Sequence, residues 1–255
     1  MSVPQAPPAG FHNYFGPQAE AYAEIRPHYP AALFHFLALA AGGTELAWDC
    51  GTGNGQAAIG LAERFAHVLG TDPSDAMIAQ ATLHPRVRYR ATLYDTALAD
   101  HTVNLVTAAQ ALHWFDLDAF VREARRVLVP GGVLAAWCYA MCRIEPEIDE
   151  VVDYHYRVTT GPCWPPERKH TEDGYRTIAL PIDEMVVPPF ELTAHWHLGD
   201  VLRYVRTWSG ARRYVEARGE EGQVAFESAM GERWGDPLKR RRVTWPVQAR
   251  VGELR

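Results

Sequence analysis

The chain has 255 residues, 47% hydrophobic and 22% charged, with 25 Lys+Arg against 31 Asp+Glu and a formal charge of −6. That length fits one large α/β domain, or one domain with a substantial cap, and the acidic balance argues against nucleic-acid binding. No apolar stretch nears the ~20 residues of a membrane span. Four cysteines make no disulfide framework, and Cys138 and Cys142 lack a second pair at zinc-like spacing, so no membrane or metal is expected and the cytoplasm is the default location.

Residues 1–10 are Pro- and Ala-rich without a basic-then-apolar leader pattern, and read as a disordered N-terminus. An aromatic lead-in follows, from Phe11 to Pro30. The pattern predicts a helix over 31–41, stopped by Gly42-Gly43. Strands are predicted at 46–50, 67–71, 87–91, 104–109 and 133–139. Helices are predicted between them at 56–65, from Pro73 to about Thr82, and at 117–128. Pro130-Gly-Gly132 reads as a tight turn into the fifth strand. Strands alternating with helices predict a parallel, doubly wound sheet.

After Ala140 the rhythm changes. Residues 146–160 read as helical and 161–181 as a loop or short-helix excursion. Residues 188–198 alternate like a strand, Asp200 is a plausible N-cap for a helix through Thr207, and further helices cover 209–218 and 223–234. A last alternating strand begins at Arg242. The two late strands fit an antiparallel closing pair. His195 and His197 share a strand face without a third ligand and read as structural; Lys239-Arg-Arg-Arg242 reads as a solvated turn.

The most informative stretch is Leu46-Ala-Trp-Asp-Cys-Gly-Thr-Gly-Asn-Gly55, followed by Asp72. A strand ends in Asp49 and Cys50, a turn carries Gly51, Gly53 and Gly55, and a helix and second strand lead to an acid. Such a β-turn-α-β unit suits an adenosine-containing cofactor: glycines let backbone approach the ligand, and the acid suits ribose hydroxyls. A dinucleotide fingerprint wants its third glycine at 56, which here is Gln.

Asp49 to Gly55, Asp72-Pro-Ser, Thr107-Ala-Ala-Gln-Ala-Leu-His-Trp-Phe-Asp116 and Pro130-Gly-Gly132 together resemble a class I S-adenosylmethionine (SAM) methyltransferase. Arg26-Pro-His-Tyr-Pro30, His113-Trp114-Phe115, Trp164-Pro-Pro-Glu-Arg168, Thr207-Trp-Ser209 and Trp245-Pro246 resemble its trans-aconitate-methyltransferase-like branch. The resemblance implies a Rossmann-like, seven-stranded sheet, mostly parallel with an antiparallel closing strand, and an inserted cap. It divides the chain into a SAM-binding core over 11–139, a substrate cap with the sixth strand over 140–219, and a closing helix and strand over 220–255. The implied activity is methyl transfer from SAM to a small molecule, a carboxylate being one option, leaving S-adenosylhomocysteine. The implied assembly is a monomer or homodimer.

The resemblance also assigns residues. Asp49 and the backbone of Gly51, Gly53 and Gly55 would cradle the methionine part of SAM, and Asp72 its ribose. Met77 would cover the adenine, unless it is a core methionine; Gln110 would sit near the sulfonium side; Arg26 would clamp the SAM carboxylate or form a structural ion pair. The family's usual acid after strand three is replaced by Thr92, beside Leu93, and strand four begins with Asn104 instead of Asp. Both changes bear on cofactor affinity and motivate one alternative, a SAM-binding protein without catalysis. His113 is the candidate general base, or else a packed histidine. Tyr14, Tyr29, Trp114 and Tyr139 are candidate walls of the acceptor pocket. In the cap, Arg168 and Trp208 are candidate substrate contacts, although aromatics as core and arginines on solvated faces explain most of that region.

Overall fold

The run Leu46–Cys50 forms the central strand β1 because it is apolar and, from Ala47 on, fully buried; a parallel strand covered on both faces requires this. The structure, a computed structural model, describes residues 27–255. The expected disordered end at 1–10 lies outside these residues. β1 pairs in parallel with β2 (His67–Asp72) on one side and β4 (Val103–Ala109) on the other. β3 (Val87–Ala91) adds to β2, and β5 (Leu128–Tyr139) to β4.

Side chains alternate across the sheet, so Trp48 and Ala47 enter opposite layers. On one face α1 (Ala31–Ala40) and α2 (Gln56–Ala62) bring Leu33, Leu37 and Leu61 onto Ala47, Leu105 and Trp137. On the other, α4 (Leu117–Val127) brings Phe120, Val121, Ala124 and Val127 onto Trp48, Val106 and Leu134. Full burial of each large apolar side chain contributes about 1.5–3 kcal/mol.

Seven strands run in the order β3-β2-β1-β4-β5-β8-β6, the Rossmann-like arrangement with an antiparallel closing strand. An eighth, β7 (Phe190–Trp196), pairs with the near half of β8 (Arg241–Leu254). β8 joins two regions: residues 241–247 pair with β7, and residues 247–253 pair antiparallel with β5. The short β6 (Ile182–Glu184) pairs with the end of β8 and has no counterpart among the sequence expectations.

Three local expectations are corrected. Pro130-Gly-Gly132 is not a turn between elements; β5 starts at Leu128, directly after α4, and runs through it. The register against β4 slips between Val103 and Leu105, so the extra residues form an irregularity within the strand pair. Helix α3 (Asp75–Ala79) starts after Pro73, with the Ser74 hydroxyl accepting from the Met77 amide at 3.3 Å. Helix α7 (Leu198–Arg206) is capped by His197, not Asp200. The His197 ring accepts from the Asp200 amide and the Asp200 carboxylate accepts from the His197 amide, both at 3.2 Å, a reciprocal capping box.

The cap is built from α5 (Pro146–Tyr154), a π-helical turn at His155–Thr159, α6 (Arg168–Glu172), α7, α8 (Ser209–Arg218) and α9 (Glu221–Trp234). Its core of Val152, Tyr204, Trp208, Phe226 and Met230 closes on Val243 and Trp245 of β8. The basic run at its edge is engaged within the fold. Arg241 pairs with Glu145 and lies over the Trp234 ring, Arg242 pairs with Glu191, and Arg240 donates to the His195 carbonyl.

Candidate active site

The chain winds from β1 outward through β2 and β3, then returns to place β4 on β1's other side. The crevice at the carboxyl ends of β1 and β4 is therefore a topological switch point, where open α/β sheets take ligands. The glycine loop forms its floor. Gly51, Gly53 and Gly55 all have φ between 57° and 88°, a region that L side chains avoid. Space is refused as well: a Cβ on Gly51 would lie 2.6 Å from Ala111 Cβ, and one on Gly55 would lie 2.1 Å from the Tyr89 hydroxyl. The amides of Gly51 and Thr52 donate to the Thr71 carbonyl of β2 at 2.8 and 2.9 Å, which ties the loop to the neighbouring strand.

Two acids serve this loop differently. Asp72, at the end of β2, accepts from the Gly53 amide through Oδ2 and from the Ser74 amide through Oδ1, both at 2.9 Å. It lines the cavity, and burial raises its pKa. Each oxygen retains a lone pair for a ligand hydroxyl. Asp49 is fully buried beneath the loop and does not line the cavity. Its oxygens accept from the hydroxyls of Thr52 at 2.6 Å and Thr107 at 2.8 Å. Burial pushes its pKa up to about 6 against those hydrogen bonds.

Apolar cover comes from Met77 and Leu93, with Tyr29, Ala111, Trp114 and Phe115 toward the cap side. The Tyr29 ring meets Trp137 edge-on at 5.6 Å. Thr92 does not line this cavity, whereas its neighbour Leu93 does. Asn104 stands at the opposite end of β4, where its Oδ1 accepts from the amides of Glu45 and Leu46. The two departures from the family pattern thus lie off the cavity wall.

A second recess opens beside the first, and Gln110, Trp114 and Tyr139 line both. Gln110 takes a left-handed conformation, φ 54°, as the chain leaves β4. The recess continues with His113, Met141, Trp164, Arg168, Tyr204 and Trp208. Arg168 is partly buried, its guanidinium 4.9 Å from the Trp164 ring centroid, and its Nε donates to the Tyr156 hydroxyl at 2.8 Å. Among the described residues no carboxylate lies within ion-pair distance of it; Glu172 reaches it only through that hydroxyl. His113 Nδ1 lies 3.0 Å from the Tyr175 hydroxyl. Burial, then the Arg168 and His170 charges, hold the His113 imidazole down at about 3.

Of the residues singled out from sequence, Gly51, Gly53, Asp72, Met77, Leu93, Gln110, Tyr29, Trp114 and Tyr139 meet at the first cavity, and His113, Arg168 and Trp208 at the second. Gly55 carries the loop into α2 as its N-cap residue. Tyr14 and Arg26 lie outside the described residues. Sequence reasoning missed Thr52, Asn54 and Ser74 of the first cavity, although all three sit inside motifs already quoted. It also missed Thr207 of the second, inside the quoted Thr207-Trp-Ser209 run, and, marked by no local motif, Tyr204 of the second and Tyr175 behind it. Among the described residues no group of three or more metal-ligating side chains occurs, and no helix is long and apolar enough to cross a membrane.

Comparison with known proteins agrees with this geometry. The family described as "Methyltransferase domain" matches residues 48–136. A putative methyltransferase of Dictyostelium discoideum is 32% identical over 222 residues, covering 85% of this chain and 84% of its own length. The structure of a putative type II methyltransferase from Anaeromyxobacter dehalogenans is 44% identical, covers 89% of this chain and 97% of its own, and superposes with a TM-score of 0.85. More distantly, a trans-aconitate 2-methyltransferase of Variovorax paradoxus is 30% identical over 157 residues, 58% of each chain. The chain belongs to the class I SAM-dependent methyltransferases, and SAM is its cofactor. The cavity fits that group: a glycine loop in which a Cβ on Gly51 or Gly55 would collide with its neighbours, a carboxylate with spare lone pairs, and a thioether and leucine that could cover an adenine face.

Proposed function

We propose that this enzyme methylates a carboxylate oxygen of a small-molecule acceptor held in the second recess. The observation that carries this reading is Arg168: a guanidinium cation under Trp164, with no carboxylate in ion-pair distance among the described residues, facing a recess continuous with the cofactor cavity. A partly desolvated cation of this kind favours an anionic ligand, and a guanidinium matches a carboxylate bidentately. The likeness to the trans-aconitate 2-methyltransferase supports the same class of acceptor.

Bound SAM supplies an activated methyl, transferred by in-line displacement as the acceptor oxygen bonds to carbon and the carbon–sulfur bond breaks, leaving S-adenosylhomocysteine. The chain's own residues supply position. Asp72 would accept from the ribose hydroxyls, the Gly51–Gly53 backbone would lie against the methionine part, and Met77 and Leu93 would cover the adenine. Asp49 acts from beneath, fixing the loop through Thr52 and Thr107. Gln110, Trp114 and Tyr139, shared by both cavities, hold the two reactants in line and exclude water. A carboxylate is ionised near neutrality, so this reaction takes no proton from the acceptor.

Labelled methyl from SAM is offered with trans-aconitate, citrate, benzoate, a set of phenols and a set of amines. Label is expected in one or more of the acids as a base-labile ester. Transfer confined to phenols or amines sinks the carboxylate reading.

A further inference from the structure

The hydrogen-bond directions around Tyr175 decide what His113 can do. Tyr175 is fully buried. Among the described residues its hydroxyl has one hydrogen-bond partner, His113 Nδ1, at 3.0 Å. If Nδ1 carried the ring proton, the Tyr175 oxygen would accept it, and the Tyr175 O–H would point at no acceptor among the described residues. An unmet buried donor is costly. The arrangement that leaves no donor unmet between the two side chains has Tyr175 donating to a bare Nδ1, which puts the ring proton on Nε2. Nε2 has no hydrogen-bond partner among the described residues, and the ring lines the recess beside Arg168.

The backbone is shaped to hold that hydroxyl in place. Gly174 and Tyr175 are successive left-handed residues, φ 67° and 63°. The Tyr175 carbonyl accepts from Arg250 of β8 at 2.7 Å, and a Cβ on Gly174 would lie 2.2 Å from Gln248 Oε1 of the same strand. A tyrosine in this conformation persists only where its surroundings over-determine it, and such residues cluster at functional sites.

We propose that His113 is a hydrogen-bond donor to the acceptor carboxylate through Nε2–H, and that Tyr175 is the positioning residue that fixes this tautomer. The proposal rests on reading the recess as the carboxylate site. Arg168 and His113 then form a two-point anion clamp, one charged and one neutral. The role differs from the general base expected for His113 from sequence: with Nδ1 engaged and Nε2 protonated, the ring offers no lone pair to the recess. The low proton affinity of this imidazole keeps it neutral through the working range.

Two measurements test it. Histidine-labelled protein without acceptor is examined by long-range proton–nitrogen correlation spectroscopy at pH 7. His113 is expected to show a protonated Nε2 and a bare Nδ1, with Tyr175→Phe giving a mixture; Nδ1–H in the unmodified protein overturns the proposal. In methyl transfer to trans-aconitate, citrate and benzoate, His113→Gln keeps a donor while losing basicity. It is expected to retain kcat, with KM within about threefold, whereas His113→Leu and Tyr175→Phe raise KM about tenfold. Loss of kcat in His113→Gln with SAM affinity intact would mean a base, and overturns it. The tautomer is read without any acceptor. An Nε2–H signal together with transfer only to phenols or amines therefore marks failure of the carboxylate reading, and removes the donor's assigned partner with it.

Discussion

At the scale of single residues, the two acids of the proposed cofactor site differ in depth: Asp72 lines the cavity and Asp49 is buried beneath its loop. Asp72 faces the cavity, so Asp72→Ala is expected to weaken SAM binding by about 1.5–3 kcal/mol, through loss of charge-assisted bonds. Isothermal titration reads this, and a folded variant with unchanged affinity would refute the role. Asp49 was read from sequence as a direct cradle residue, yet it acts beneath the loop. The motif gave its position in the chain but not its depth, because depth depends on Thr107 of a strand 58 residues away. Asn104 shows the same limit: a departure from the family pattern carries a backbone-bonding role at the start of β1. The first cavity was largely legible because three short runs, 51–57, 72–77 and 109–115, line most of it. The second was not, because residues 110–114, 139–141, 164–168 and 204–209 come together only through tertiary structure. Tyr175, deeper still, shows no sign in sequence of being within reach of His113.

At the scale of elements, burial decided what could be read. β1 and β3 span the residues expected from their sequence patterns, and β2 and β4 each differ by one. β6, at three residues, is too short for any period to show. Pro130-Gly-Gly132 carries turn residues, but the pairing of β5 with β4 and β8 draws it into a strand. Helix α7 reverses an assignment, since the capping side chain is the imidazole of His197 and the acid is its reciprocal partner. Each half of that box satisfies an amide, so His197→Ala or Asp200→Ala is expected to cost roughly 1 kcal/mol. The double variant should cost less than the sum of the two. Urea unfolding with unchanged slope is the measurement, and additive losses would show that the two halves do not cooperate.

At the scale of the whole molecule, buried titratable groups tie stability to pH in opposite senses. His155 is buried and stacked on Phe226 at 4.2 Å, and burial lowers its pKa to about 4. A histidine whose folded pKa lies below its ordinary 6.5 contributes stability above that value and loses it as pH falls from about 6.5 toward 4. Asp49, held up at about 6, acts the other way: its contribution is fullest below the ordinary carboxylate range and is lost as pH rises through about 6. His155→Leu is therefore expected to flatten the fall in unfolding free energy between pH 6.5 and 4, as read by denaturant titration at each pH; an unchanged slope would remove His155 as its source. The long strand β8 has a consequence for how the molecule comes to be made. It pairs with β5, β6 and β7, all of which precede it in the chain. While the chain emerges from the ribosome, β5 keeps an open, apolar edge until β8 is released, and the cap lacks the Trp245 and Val243 it closes on. Core and cap thus complete their folding together, and the nascent protein is exposed to edge-to-edge aggregation from the release of β5 until that of β8.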